Sequence, residues 1–241
     1  GLIHCALTGY GQSGPEALRS GHDINYMASS GSLSVTGSPS KPQPAFPPVA
    51  DCAGAMQAVI AVQGALLGRG SDGEGCYLNV AMADTMLSWQ TFGLLQQSLA
   101  DETGGAAPAR TQDLLNGGAA CYQVYETADK RFVSLGAIEK TFWQNFCEAV
   151  DQNSWIERQS DALPQTKLIS EVTALFLVHS RDYWDQKLGN VDCCYHPVLS
   201  YGELAEWPQF QHRDLFETES DKGQVTGVRF PVWQDGAPPP E

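Results

Sequence analysis

The chain is poor in positive charge, and in charge altogether. It holds 14 lysines and arginines against 28 aspartates and glutamates, a formal net charge of −14, and charged residues make up only 17% of its 241 positions. An acidic surface repels phosphate backbones and anionic bilayers, so neither nucleic acid nor membrane is expected as a partner. A low charged fraction beside 42% hydrophobic residues is also the reverse of the composition that keeps a chain disordered. No stretch approaches the roughly 18 to 20 consecutive apolar residues expected of a spanning helix. The start of the chain, residues 1–10, lacks the basic-then-apolar layout of a secretory leader. The expected location is the cytoplasm, or an organelle matrix. Cysteine offers no disulfide framework: the seven, at positions 5, 52, 76, 121, 147, 193 and 194, are odd in number and form no C-x-x-C pair. Reduced thiols follow. The G-x-S-x-G elbow of a serine hydrolase is absent as well.

What is present is an alternation of strand and helix signals. Gly1-Leu2-Ile3-His4-Cys5-Ala6-Leu7-Thr8 reads as a buried strand entering a glycine turn with nothing ahead of it to pair against, so an amputated amino-terminal part is expected. Ser13 to Pro48 is rich in loop signals. From Asp51, placed as an N-cap, Met56, Val59, Ile60, Val62, Leu66 and Leu67 recur near helical spacing until Gly68 and Gly70 close a buried helix. Asp72-Gly73 turns the chain into a strand over Cys76 to Met82, and a helix from Asp84 carries Met86, Leu87, Trp89, Phe92, Leu94 and Leu95. Such alternation predicts an α/β fold with a parallel sheet.

The composition shifts to glycine, alanine and polar residues near 101–120, as in a linker between domains. A smaller α/β unit is predicted over 121–212: strands at Tyr122–Glu126 and Arg131–Ile138 about an Asp129-Lys130 turn, then helices over Lys140–Val150, Leu168–Val178 and Ser180–Leu188, the last capped by Ser180. Residues 213–241 form a return segment whose tail, from Asp221 to Pro238-Pro239-Pro240, shows little secondary structure.

Five places could carry chemistry, each beside a blander alternative. Gly9-Tyr10-Gly11-Gln12-Ser13-Gly14 is a literal G-x-G-x-x-G after a strand, but no helix opens within its glycines, so a plain turn is the reading. His22, in Gly21-His22-Asp23-Ile24-Asn25-Tyr26, could exchange protons near neutrality or merely cap a turn. Asp51 stands at a helix start, where free N–H groups could also receive an oxyanion, or it is an ordinary cap. Glu139 follows the apolar Leu135-Gly136-Ala137-Ile138, at a strand end where site residues collect in parallel sheets, or it is simply solvated. Asp192-Cys193-Cys194-Tyr195-His196 holds metal-capable side chains, but adjacent cysteines do not both ligate one zinc in the usual loop geometry, and no metal is expected.

Taken together, Thr8-Gly9-Tyr10-Gly11-Gln12-Ser13-Gly14-Pro15, Gly21-His22-Asp23-Ile24-Asn25-Tyr26, Asp51, the stretch Gly75 to Asp84 and Leu135 to Glu139 resemble the α-methylacyl-CoA racemase branch of the family III CoA-transferases (CaiB/BaiF), in the family's order and close to its spacing. The resemblance implies a large domain with a nucleotide-binding-like sheet, a smaller α/β domain and an interlocked homodimer. It places the catalytic histidine on His22, the catalytic aspartate on Asp51 and a glutamate supporting the histidine on Glu139. Tyr26 and the Leu115-Asn116-Gly117-Gly118 loop match positions near an acyl-CoA thioester. No cofactor is implied beyond the CoA carried by the substrate.

Inverting a 2-methyl centre needs one group to take the α-proton from one face and another to return a proton to the other face, roles that suit His22 and Asp51. The enolate oxygen would be met by the N–H groups after Asp51. Glu139 against His22 would fix its tautomer and favour its charged form. Arg69 and Arg110 are candidates for phosphate contact. Two alternatives stay open: a CoA-transferase in which Asp51 becomes an acyl-anhydride nucleophile, and an inactive or binding-only fragment.

Overall fold

The computed structural model describes residues 1–69, 73–218 and 224–237. The first half runs β1 (Ile3–Thr8), α1 (Asp23–Ser29), α2 (Ser32–Val35), the two-residue strands β2 (Gly37–Ser38) and β3 (Lys41–Pro42), α3 (Val49–Gly68), β4 (Cys76–Ala81), α4 (Met82–Ser88) and α5 (Thr91–Thr103). β1 and β4 pair in parallel, in register from Ile3 opposite Cys76 to Thr8 opposite Ala81. Parallel neighbours need a long crossover, which α3 supplies. Gly54 is where that helix meets the sheet: a Cβ there would stand 2.5 Å from Met82 Cγ and 3.5 Å from Leu7 Cδ1. A small buried cluster of Tyr26, Met27, Ala50, Ala53 and Met86 ties α1, α3 and α4 together.

The second half holds β5 (Tyr122–Glu126), β6 (Phe132–Gly136), α6 (Lys140–Ala149), α7 (Thr166–Phe176), α8 (Arg181–Leu188), β7 (Tyr195–Pro197), α9 (Tyr201–Leu204), α10 (Pro208–His212), β8 (Phe216–Thr218) and β9 (Val225–Val228). β5, β6 and β7 form an antiparallel sheet. On it lies the larger core, in which the Phe176 ring sits 5.1 Å from Tyr125, 5.9 Å from Phe146 and 5.0 Å from Trp184. Each polar tip buried there is satisfied: Trp143 Nε1 donates to the Trp155 carbonyl at 2.9 Å, Trp184 Nε1 to that of Phe176 at 3.0 Å and the Tyr125 hydroxyl to that of Ala120 at 2.7 Å. The buried Arg181 guanidinium is clamped by Glu203, which also takes Arg131, so a network of charges joins α8 and α9 to the residue that leads into β6.

Several expectations are corrected. α3 begins at Val49 with Pro48 as its cap residue, so Asp51 stands in its first turn rather than at its cap. The helix is not buried: Ala50, Ala53 and Gly54 are covered, but Met56 is 64% exposed and Leu67 89%, because α1, α4 and the two-stranded sheet reach only part of it. Its 20 residues, with a mean hydropathy of 1.4, also meet the length and apolarity of a spanning helix, which no stretch was expected to do. Length and composition do not separate a span from a core helix.

The helix expected from Asp84 is two, broken at Trp89-Gln90, and the preceding strand ends at Ala81. Ser13 to Pro48 contains α1 and α2 rather than loops alone. The strand expected over Arg131 to Ile138 is confined to Phe132–Gly136. The tail forms β9, which pairs with β8. Gly70, Asp72, Asp221 and Pro238 to Pro240 lie outside the described residues.

Candidate functional site

The site is built at the corner between α1 and α3. His22 is the cap residue of α1, with extended backbone, and its own N–H donates to Asn25 Oδ1 at 3.1 Å. On its amino-terminal side, the Tyr26 hydroxyl reaches back to donate to the Gly21 carbonyl at 2.6 Å. Tyr26 is 5% exposed and meets the Tyr10 ring edge to face at 5.1 Å. Its ring fits only because residue 9 is glycine: a Cβ there would lie 2.5 Å from the Tyr26 hydroxyl oxygen. Burial pushes the Tyr26 phenol above its ordinary value, with Tyr10 and the Asp51 carboxylate adding to the effect, so it stays a neutral donor.

On the carboxyl-terminal side of His22, Asp23 does what a cap would do for another helix. Its Oδ1 accepts from the Ala50 N–H at 2.6 Å and from the Asp51 N–H at 3.3 Å. Proline at position 48 has a ring nitrogen and no donor, and the first-turn donors that follow it need an acceptor from elsewhere. Asp23 answers that need from 27 residues away. The outcome is that His22 and Asp51, 29 positions apart in sequence, are attached to one hydrogen-bonded unit, and both are exposed. The N–H groups expected to meet an oxyanion are not free: Cys52 N donates to the Pro48 carbonyl at 3.2 Å, and those after it lie within the helix.

The other expected residues lie elsewhere in the chain. Leu115, Asn116 and Gly117 line a cleft of about 410 Å³ with Tyr122, Val124, Leu135 and Cys194. Asn116 Nδ2 donates to the Ala109 carbonyl at 2.8 Å and to that of Val35 at 3.4 Å, which joins this loop to α2. Gly118 packs so tightly on Gln112 and Asp113 that a Cβ would come within 2.7 Å of their backbone.

Glu139 is the exposed cap residue of α6. The strand before it belongs to an antiparallel sheet, not the parallel one in which strand ends gather site residues. Its carboxylate, with that of Asp192, adds to the desolvation that pushes the Cys194 thiol up. Among the described residues, no hydrogen bond or ion pair joins it to His22. Arg110 is spent inside the fold, with Nε donating to the Ser38 carbonyl and Nη1 to that of Ser34, each at 3.0 Å. Arg69 Nη1 stands 3.5 Å from the Gly1 carbonyl. Of the metal-capable stretch, Cys193 is buried and Tyr195 and His196 enter β7, and no cluster suited to a metal occurs among the described residues.

Asp23 is the residue that sequence reading missed. It stands next to His22 in the quoted string, but nothing local marks it as the acceptor for a helix 27 residues on. Pro48, a cap without a side-chain acceptor ahead of a long helix, is the available hint that an acceptor must be supplied.

Comparison with known proteins gives the family of the chain. A model of CoA-transferase family III matches residues 1–240. Human alpha-methylacyl-CoA racemase is 31% identical over 226 residues, covering 92% of this chain and 58% of the human protein. The succinate–glutarate CoA-transferase of Agrobacterium fabrum is 27% identical over 246 residues, 98% of this chain and 60% of the relative. A crystal structure of a CAIB/BAIF family protein from Brucella suis superposes with a TM-score of 0.74 at 23% identity, over 98% of this chain and 62% of that one. The chain thus spans about three-fifths of the length of these relatives. With its matched length running from end to end, the chain belongs to CoA-transferase family III.

Proposed function

We propose that the protein is an acyl-CoA racemase or epimerase that inverts the 2-methyl centre of an α-methylacyl-CoA by 1,1-proton transfer. The observation that supports it is the joining of His22 to Asp51 through Asp23, which accepts from the N–H groups of Ala50 and Asp51. One of the two side chains takes the α-proton; the C–H electron pair moves into the enolate as the thioester carbonyl becomes an oxyanion. The other, in its protonated form, delivers a proton to the opposite face, and the carbonyl reforms. Each turnover exchanges the protonation states of the two groups, and solvent restores them. The Leu115-Asn116-Gly117-Gly118 loop and Tyr26 would shape the thioester end of the site. The reading includes an interlocked homodimer and a supporting contact from Glu139 to His22, which no described contact within one chain makes.

A second reading, a CoA-transferase with Asp51 as nucleophile, draws on the likeness to the Agrobacterium enzyme over nearly the whole chain. Trapping separates the two. A racemase incorporates deuterium at the α-carbon of an α-methylacyl-CoA in heavy water and leaves no adduct, whereas a transferase yields an Asp51 acyl group that hydroxylamine or borohydride intercepts.

A further inference from the structure

We infer that Asp23 is a positioning residue: its carboxylate, seated on the first turn of α3, holds the spacing between the two proton-transferring side chains. The inference rests on the proposed racemase reading and concerns the same site.

Three facts carry it. Asp23 follows His22 directly in the chain, and its Oδ1 takes both the Ala50 and the Asp51 N–H, so each candidate group is at most one residue from the same carboxylate oxygen. The neighbouring anchor is independent, because Tyr26 holds the Gly21 carbonyl. The packing of Tyr26 and Met27 against α3 and α4 holds the body of α1, and Asp23 is the hydrogen bond that fixes its first turn to that of α3. Lastly, the α3 cap is Pro48, whose side chain has no acceptor, so removing Asp23 leaves two first-turn donors to water and frees the helix start to drift. A displacement of about 1 Å between reacting groups lowers a rate by about 10²-fold. Since both groups must flank one carbon, such a displacement slows exchange from both enantiomers alike, whereas loss of either group alone would weigh on exchange from the enantiomer whose α-proton that group removes.

The test compares Asp23→Ala and Asp23→Asn in the full chain, with an (R)- and an (S)-α-methylacyl-CoA as probes. Asn retains an acceptor oxygen for the two N–H groups; Ala does not. Asp23→Ala is expected to lower kcat for α-deuterium exchange about 10²-fold from both enantiomers with KM little changed. Asp23→Asn should recover most of that loss. Amide hydrogen exchange gives a readout free of activity: the Ala50 and Asp51 amides should lose protection in Asp23→Ala and keep it in Asp23→Asn. Unchanged protection of those amides in Asp23→Ala overturns the inference, and so does equal loss of kcat in the two variants or a loss confined to one enantiomer. If the unaltered protein exchanges no α-proton while the amides respond as expected, the racemase reading falls and the seating of Asp23 on α3 stands.

Discussion

Gly9→Ala is the most informative single change outside the proton-transferring pair. The new Cβ would lie 2.5 Å from the Tyr26 hydroxyl oxygen, 2.6 Å from Cε1 and 2.7 Å from Cζ, all well inside van der Waals contact. Tyr26 is 5% exposed, and its ring is backed by Tyr10, so it cannot swing into solvent without leaving the small core. Overpacking of this kind costs about 1–3 kcal/mol. Moving the ring also breaks the 2.6 Å hydrogen bond to the Gly21 carbonyl, a further ~0.5–1.5 kcal/mol. Gly21 is half-buried, so water can take over part of that bond.

A destabilisation of about 2–4 kcal/mol in urea unfolding is expected from these terms. It should come with a fall of about 10²-fold in α-proton exchange, because the anchor ahead of His22 has shifted. Tyr26→Phe keeps the ring and removes only the hydroxyl. Its stability loss should be about 1 kcal/mol, and combined with Gly9→Ala it should cost less than the two changes added, since they share one contact. A Gly9→Ala protein within 0.5 kcal/mol of the original, or additive losses in the double variant, would refute the account of this corner.

Two other predictions concern the second half of the chain. Glu203 is held well below the ordinary carboxylate range by Arg181 first, with Ser200 and Arg131 adding. A carboxylate with a depressed folded-state pKa stabilises above its unfolded value and loses that contribution as the pH falls. The urea midpoint should therefore decline as the pH drops below about 4.5, the ordinary value for this group, and Glu203→Gln should flatten that decline; a variant with an unchanged acid profile would contradict the network. The thiols give a second check. Burial raises Cys147 to about 12 and Cys193 to about 11, and the thiolate is the nucleophile. Iodoacetamide at pH 8, read by mass spectrometry, should label Cys52 and Cys76 in the native protein while Cys121, Cys147 and Cys193 react only in denaturant. Native labelling of Cys147 would show that the larger core is not packed as described.

Features that depend on a few neighbouring residues were legible in the sequence. Ser180 caps α8 by accepting from the Tyr183 N–H at 3.4 Å, the β5–β6 hairpin turns at Asp129-Lys130 with Lys130 at φ +64°, and α6 buries Trp143 and Phe146 on the side expected. Features that depend on distant partners were not. The apolar spacing of α3 identified a helix, but burial is decided by what lies against it, and among the described residues Met56, Ile60 and Leu67 stay largely exposed. α1 is only seven residues long and sits in a loop-like composition; it is held by Tyr26 and by Asp23 on α3 rather than by propensity. His22, Tyr26 and Asp51 could be named from the string, but their gathering at one corner could not, since it runs through Asp23 to a helix 27 residues on. Glu139 shows the reverse: its place after an apolar strand was readable, while the antiparallel neighbours of that strand depend on β7, which arrives some 60 residues later.

The most direct measurement is α-deuterium incorporation from heavy water into an α-methylacyl-CoA, comparing the unaltered protein with His22→Ala and Asp51→Ala. The account predicts exchange from both enantiomers by the unaltered protein and, in each variant, a loss of about 10²–10⁴-fold from the enantiomer whose α-proton the missing group removes, as for a general acid or base. Exchange from both enantiomers that survives each substitution, or an Asp51 acyl adduct without exchange, would contradict it.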